Sequence, residues 1–236
     1  MHLHYLHDIL CDIPGLTEDA KVLHRPGLPP QQRKIAHTLL SNNIVLHLQQ
    51  LYNWRTRWDQ LNPSACYETN SREKHWQSSK LDAQDELLFP TVLYYTCLET
   101  ANEITTYNGT LLLLLKLGFQ TIGPSFDTSY SSPSIPPACT GSPLYPPGSA
   151  LSAVAIATEI CRSAEYHLNC GNSAGAFYLV FPLRVAWATF EDGTREKIWC
   201  ESMMGIIADR SGWEVGRGLT GNFTTRGAGF VTEEGE

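Results

Sequence analysis

An all-α, multi-helix domain interrupted by one Pro/Ser/Gly-rich loop is the architecture this sequence predicts, on three observations. Apolar residues recur at steps of three and four over several long segments, which places them on single helical stripes. No segment alternates convincingly with period two, as a half-buried strand would. The chain has 236 residues, 42% hydrophobic and 17% charged, enough for one large domain with a real core and unlike disordered, collagen-like or coiled-coil compositions.

Taken in order, residues 1–30 read as an irregular amino-terminal segment. The opening MHLHYLHDILCD has no basic stretch, sustained apolar run or small-residue cleavage site, so it is not a secretory signal. Residues 31–120 form a first helical block. Within it, a helix over residues 33–61 sets Trp54 and Trp58 one turn apart and ends at Asn62-Pro63. A longer helix carries Leu88, Val92, Tyr95, Leu98, Ala101, Ile104, Asn108, Leu111 and Leu115 on one stripe, tolerates Pro90 near its start and stops at Gly118. Residues 121–149 hold seven of the fourteen prolines among serines and glycines, the composition of a linker or long surface loop.

A second helical block of the same domain spans residues 150–210. Leu151, Val154, Ala155, Thr158, Cys161, Glu165 and Leu168 share one helical face while Ile156, Ile160 and Ser163 occupy another, as in a core helix. Phe177, Phe181, Arg184, Val185 and Ala188 continue the pattern with a kink expected at Pro182. Trp199, Met203 and Ile206 mark a last helix after the turn Asp192-Gly193. Residues 211–236 read as a flexible glycine-rich tail.

The net charge of −7 argues against an electrostatic binder of DNA, RNA or anionic membranes, which needs clustered Lys and Arg. Unbroken apolar runs such as residues 111–115 are far short of the roughly 20 residues that cross a bilayer, so no membrane partner is expected. Seven irregularly spaced cysteines fit reduced thiols in an intracellular protein better than a disulfide framework. The sequons at Asn108 and Asn222 then carry no consequence.

Several motifs fail on context. Gly171-Asn172-Ser173-Ala174-Gly175 matches a nucleophile elbow, but every histidine lies upstream of it and no strand precedes it; a small-residue helix start with close packing fits better. Gly216-Arg217-Gly218-Leu219-Thr220-Gly221 matches a dinucleotide fingerprint with too little chain after it for the rest of the unit. His2, His4, His7 and Asp8 make an exposed cluster rather than a metal site, and no Cys-x-x-Cys or His-Glu-x-x-His pattern occurs, so no catalytic, metal or DNA-binding residues and no cofactor are assigned. Trp54-Arg55-Thr56-Arg57-Trp58 reads as core packing with its arginines solvated or paired to Asp59, rather than as a stacking platform for nucleic acid.

Polar residues within otherwise apolar helices are the candidate site: Glu99, Asn102, Glu103, Tyr107, Arg162, Glu165 and Arg184. Buried charges are costly unless paired, so the expectation is interhelical ion pairs and hydrogen bonds, with a ligand site as the other reading. Were Glu103, Arg162 and Glu165 to converge on an open apolar cavity, an enzyme on a helical scaffold would gain ground.

The stretches DELLFPTVLYYTCLETANEITTYNGTLLLLLKLG (85–118), TEICRSAEYHL (158–168), SAGAFYLVFPLRVAW (173–187) and ADRSGWEVGRGL (208–219) resemble the carboxy-terminal regulatory region of fungal binuclear zinc-cluster transcription factors. With the segment 54–63, the likeness spans residues 36–219, interrupted by the proline-rich loop. It implies a helical regulatory domain, not an enzyme. Such a domain works through partners in the transcription machinery or a homologous regulator and through a small-molecule effector, in the nucleus. The family's DNA-binding module, in which six cysteines hold two zinc ions, has no counterpart here: the Cys-x2-Cys-x6-Cys pattern is missing. Zinc is therefore expected only with an upstream module, and this chain is expected to make no direct DNA contact. A stand-alone protein-interaction module is the remaining alternative, with the loop serines before Pro133 and Pro143 as docking or phosphorylation sites.

Overall fold

The central element is a helix buried on nearly every side. In the computed structural model, which describes residues 2–71, 88–123, 126, 142–149, 152–170 and 173–211, this helix is α3 (Leu98–Ile122). Its start is fixed by a capping box: Cys97 is extended, and the hydroxyl of Thr100 accepts the Cys97 backbone N–H at 3.4 Å. Glu99 adds a negative charge to the first turn, where the helix dipole favours it. The helix ends at Gly123, whose φ of +85° suits glycine alone. Gly118 does not stop it, contrary to expectation. A Cβ there would lie 2.3 Å from the ring of Phe126, so glycine at 118 serves close packing inside the helix.

Around α3 the described residues form five more helices and one two-stranded sheet: α1 (His2–Leu23), α2 (Pro30–Leu61), β1 (Cys66–Asn70), β2 (Thr91–Tyr95), α4 (Ala153–Asn169), α5 (Ser173–Trp187) and α6 (Arg195–Ser211). The class is all-α. Helix α2 runs antiparallel to α3, because Trp58 bonds Glu103, Trp54 stacks on Tyr107 and His37 bonds Thr121. Helix α1 lies along α2, tied by Asp12 and His47 at 3.1 Å. On the other flank α4 crosses α3 through Asn108 and Glu159, and Ser152 caps its start by accepting the Ala155 N–H at 3.2 Å. Helix α5 folds back against α4 at Gly175, where a Cβ would fall 2.1 Å from the carbonyl oxygen of His167. One core cluster runs through all of this, from Leu6 to Ile207.

Several expectations need correction. Residues 1–30 are not irregular, since α1 occupies most of them, with Leu6, Ile9, Ile13, Leu16 and Leu23 buried at steps a helix face demands. The long helix does not begin near Leu88. Thr91–Tyr95 is a strand, paired antiparallel with Cys66–Asn70 in the register Cys66↔Tyr95 to Asn70↔Thr91. Val92, Leu93, Tyr94 and Tyr95 are all buried, so this strand has no alternation to detect. In α5 the expected stripe holds only in part: Phe181 packs against the core and Val185 lies in it, while Phe177 is half exposed and Ala188 exposed, and Ala176, Leu179, Leu183 and Ala186 complete the buried face. In α4, Val154 is exposed.

Most of the proline-rich loop, Leu151, Gly171, Asn172, Gly216 to Gly221 and the glycine-rich tail beyond residue 211 lie outside the described residues. No helix among the described residues is long and apolar enough to cross a membrane.

Candidate functional site

The seven polar residues singled out from sequence fall into separate groups. Glu103 and Tyr107, one turn apart on α3, face α2. Glu103 accepts the indole N–H of Trp58 at 2.7 Å. Tyr107 stacks on Trp54 with ring centroids 5.7 Å apart, and the guanidinium of Arg55 lies 5.6 Å from its ring centre. Burial raises the Tyr107 phenol far above its usual range, so the ring is a neutral packing group. Asn102 is buried and accepts from the Thr106 hydroxyl at 3.3 Å. Glu99 is exposed at the start of α3, where its own backbone N–H and the Cys97 side chain lower its carboxyl pKa.

Arg162 and Glu165 belong to α4 and face the sheet instead. Arg162 donates from Nε to the Thr91 carbonyl at 3.2 Å and pairs with Glu68 at 2.5 Å. Glu165, buried, accepts the Tyr94 hydroxyl at 2.8 Å. Beside them Tyr95 and Ser163 share a hydroxyl hydrogen bond of 2.7 Å. Arg184 lies on α5, its guanidinium 4.0 Å from the ring centre of Trp187, whose indole N–H donates to Glu201 at 2.9 Å. Glu103, Arg162 and Glu165 therefore do not converge on a common cavity.

The most concentrated polar cluster lies between α2, α3 and α4 and involves two residues not singled out as site residues from sequence, Arg55 and Glu159. Both are buried. One Glu159 oxygen accepts the Asn108 amide at 2.7 Å and the other accepts the backbone N–H of Tyr145 at 3.0 Å. Arg55 pairs with Asp59 at 3.1 Å, as expected for an arginine within the tryptophan pair, and reaches the Tyr145 carbonyl at 3.4 Å. Both backbone polar groups of Tyr145 are thus held by opposite charges from two helices. This clamp seats the strap of residues 142–149 over the core, with Leu144 buried beneath it.

Burial is the main influence on the Glu159 carboxyl and raises its pKa, against its two hydrogen bonds and the charge of Arg55. The cluster borders a cavity of about 20 Å³ among Tyr52, Tyr107, Asn108 and Glu159, room for a single water. A carboxylate with both oxygens committed and space for one water beside it is suited to holding a strap. The signal for Glu159 was present in the sequence, since it lies beside Ile156, Ala157 and Ile160 in a helix apolar on several sides.

Of the other motifs, Trp54 and Trp58 are buried as core residues. Ser173 opens α5, and the element before it among the described residues is the helix α4 rather than a strand, so the nucleophile-elbow context is missing there. His4, His7 and Asp8 are exposed on α1, and among the described residues no three His, Cys, Asp or Glu side chains are placed to hold a metal ion. Compared with known proteins, the chain matches no family model, no curated protein and no solved structure.

Proposed function

We propose that this chain is a regulatory domain acting through contacts with other proteins, of the kind that fungal zinc-cluster transcription factors carry downstream of their DNA-binding module, and that it neither contacts DNA nor catalyses a reaction. The observation that supports this reading is the fate of its interior polar groups. Glu103 is bonded to Trp58 between α2 and α3, Glu159 to Asn108 and Tyr145 beneath the strap, and Arg162 to Glu68 and Glu165 to Tyr94 where α4 meets the sheet, so the groups are spread over three places. Catalytic groups need a shared cleft in which a reacting atom sits within hydrogen-bond reach of several of them. Groups dispersed and paired in this way fit interhelical specificity instead. The four ordered stretches of family resemblance supply the transcriptional part of the proposal, and the net charge of −7 supports the absence of DNA contact.

The test has two arms. Fused to an unrelated DNA-binding domain, the chain is expected to raise or lower transcription of a reporter carrying that domain's sites. Alone and purified, it is expected to form no sequence-specific DNA complex at physiological salt. A reporter indifferent to the fusion, or a salt-resistant specific DNA complex, would overturn the proposal.

A further inference from the structure

Three helix ends meet at one corner of the molecule: the carboxy-terminal ends of α1 and α3 and the amino-terminal end of α2. Between them lies an open cleft of about 330 Å³ lined by Leu23, His24, Arg33, His37, Gln120 and Thr121. It has one guanidinium, two imidazoles, an amide and a hydroxyl around a buried leucine, and no carboxylate lines it among the described residues. The sequence explains the imbalance. Between Asp19 and Asp59 there is no acidic residue, while His24, Arg25, Arg33, Lys34 and His37 all fall in that interval. In a chain of net charge −7 this is a local reversal of sign.

Arg33, the one guanidinium lining the cleft, makes no side-chain hydrogen bond or ion pair among the described residues, so its charge is uncommitted. His37 is already placed: its Nε2 lies 2.9 Å from the carbonyl of Thr121. That contact holds the imidazole at the cleft wall and covers one of the terminal carbonyls of α3, which would otherwise face an anion. Helix dipoles do not reverse the balance. Two carboxy-terminal ends and one amino-terminal end sum to about half a negative charge, less than the full charge of Arg33 alone.

We infer that this cleft binds a small soluble phosphate ester. A guanidinium fork pairs bidentately with phosphate, and a tetrahedral group with several terminal oxygens can use donors arriving from an arginine, a histidine, an amide and a hydroxyl at once. A planar carboxylate would use little beyond the arginine fork. Leu23 offers an apolar floor for the organic part of the ester, and the volume lies at the lower end of small-molecule sites. The inference does not depend on a transcriptional role: the cleft binds its ester whether or not the fusion moves the reporter.

The probes are phenyl phosphate, benzoate and inorganic phosphate, titrated calorimetrically into the full chain at fixed ionic strength. Phenyl phosphate is expected to bind more tightly than benzoate, and Arg33→Gln to weaken it by roughly tenfold or more, as loss of a charged hydrogen-bond pair does. Arg33 is exposed and unpartnered among the described residues, so this variant is expected to fold, with far-UV circular dichroism as the check; His24→Gln, at the lining imidazole not held by Thr121, provides a second, independent loss. The inference is overturned by no binding of phenyl phosphate, by equal affinity for benzoate, by affinity unchanged in both variants, or by binding only to phosphatidylserine vesicles.

Discussion

At the scale of single residues, Gly175 and His167 carry the contact between α4 and α5. A methyl group at 175 would sit 2.1 Å from the His167 carbonyl oxygen, and backbone at that distance can yield only if the helices separate. Gly175→Ala is therefore expected to destabilise the fold by about 3 kcal/mol or more in denaturant unfolding. Gly205→Ala is the control. It meets nothing within 4 Å on α6 and is expected to be neutral or to stabilise by up to about 1 kcal/mol, as alanine replaces glycine in a helix. Equal losses in the two variants would contradict the close approach.

The imidazole of His167 is fully buried, and burial holds its pKa down at about 4 from 6.5. As pH falls, the unfolded chain takes up its proton first. The stability contributed by the neutral ring is thus complete above pH 6.5 and is lost toward pH 4, by about 3 kcal/mol. Unfolding free energies at neutral and acid pH should differ by less in His167→Gln than in the parent; an identical pH slope would remove the buried ring as a cause. Glu159 acts in the opposite sense. Its raised pKa means that its contribution is lost as pH rises from the unfolded to the folded value. Sequence located the polar candidates on the correct helices because charges interrupt apolar periodicity there. It did not reveal their partners, since Trp58, Glu68 and Tyr94 lie between 45 and 94 residues away in the chain.

At the scale of elements, the misread segments have definite physical reasons. Helix α1 shows the same steps of three and four as the helices correctly anticipated, at Leu6, Ile9, Ile13, Leu16 and Leu23. What obscured it was Pro14, a residue that removes one backbone hydrogen bond and crowds the preceding turn. The helix persists because its apolar face is covered by α2 and α3. Pro14 itself is exposed, so Pro14→Ala costs no packing and is expected to stabilise the protein by about 1–3 kcal/mol, read as a raised melting temperature. A lowered melting temperature would show that the proline is built into the fold. Strand β2 failed for another reason: TVLYY is buried on both faces, and a short unbroken apolar run looks the same in a strand as in a core helix. Only its partner Cys66–Asn70 and the capping box at Cys97 separate it from α3.

For the whole molecule, the composition break at residues 121–149 suggested two helical blocks, and these blocks share one core. Ile104 and Leu114 of α3 belong to the same buried cluster as Leu48 of α2, Ile160 of α4, Leu179 of α5 and Met203 of α6. Unfolding is accordingly expected as one cooperative transition, with tryptophan fluorescence and far-UV circular dichroism coincident. Separate transitions would mean that the blocks are independent. The fold class could be read from sequence because helix periodicity is local. That both blocks belong to one domain is also expected from the sequence; which helices enclose α3 on nearly every side could not be read, because those contacts are distant in the chain.

The sheet also has a consequence for how this chain can be rebuilt. The Ser71 N–H donates to the Pro90 carbonyl at 3.1 Å and its hydroxyl to the Phe89 carbonyl at 2.5 Å, so the two ends of residues 72–87 are stitched together beside the β1–β2 ladder. Those ends are fixed in place whatever joins them, and doubling the length of a loop closed at fixed ends costs only about 0.6 kcal/mol. A fluorescent protein spliced between those ends is therefore expected to leave the helices in register, read as an unchanged far-UV circular dichroism spectrum of the host. For a fused reporter, this is the natural port of entry.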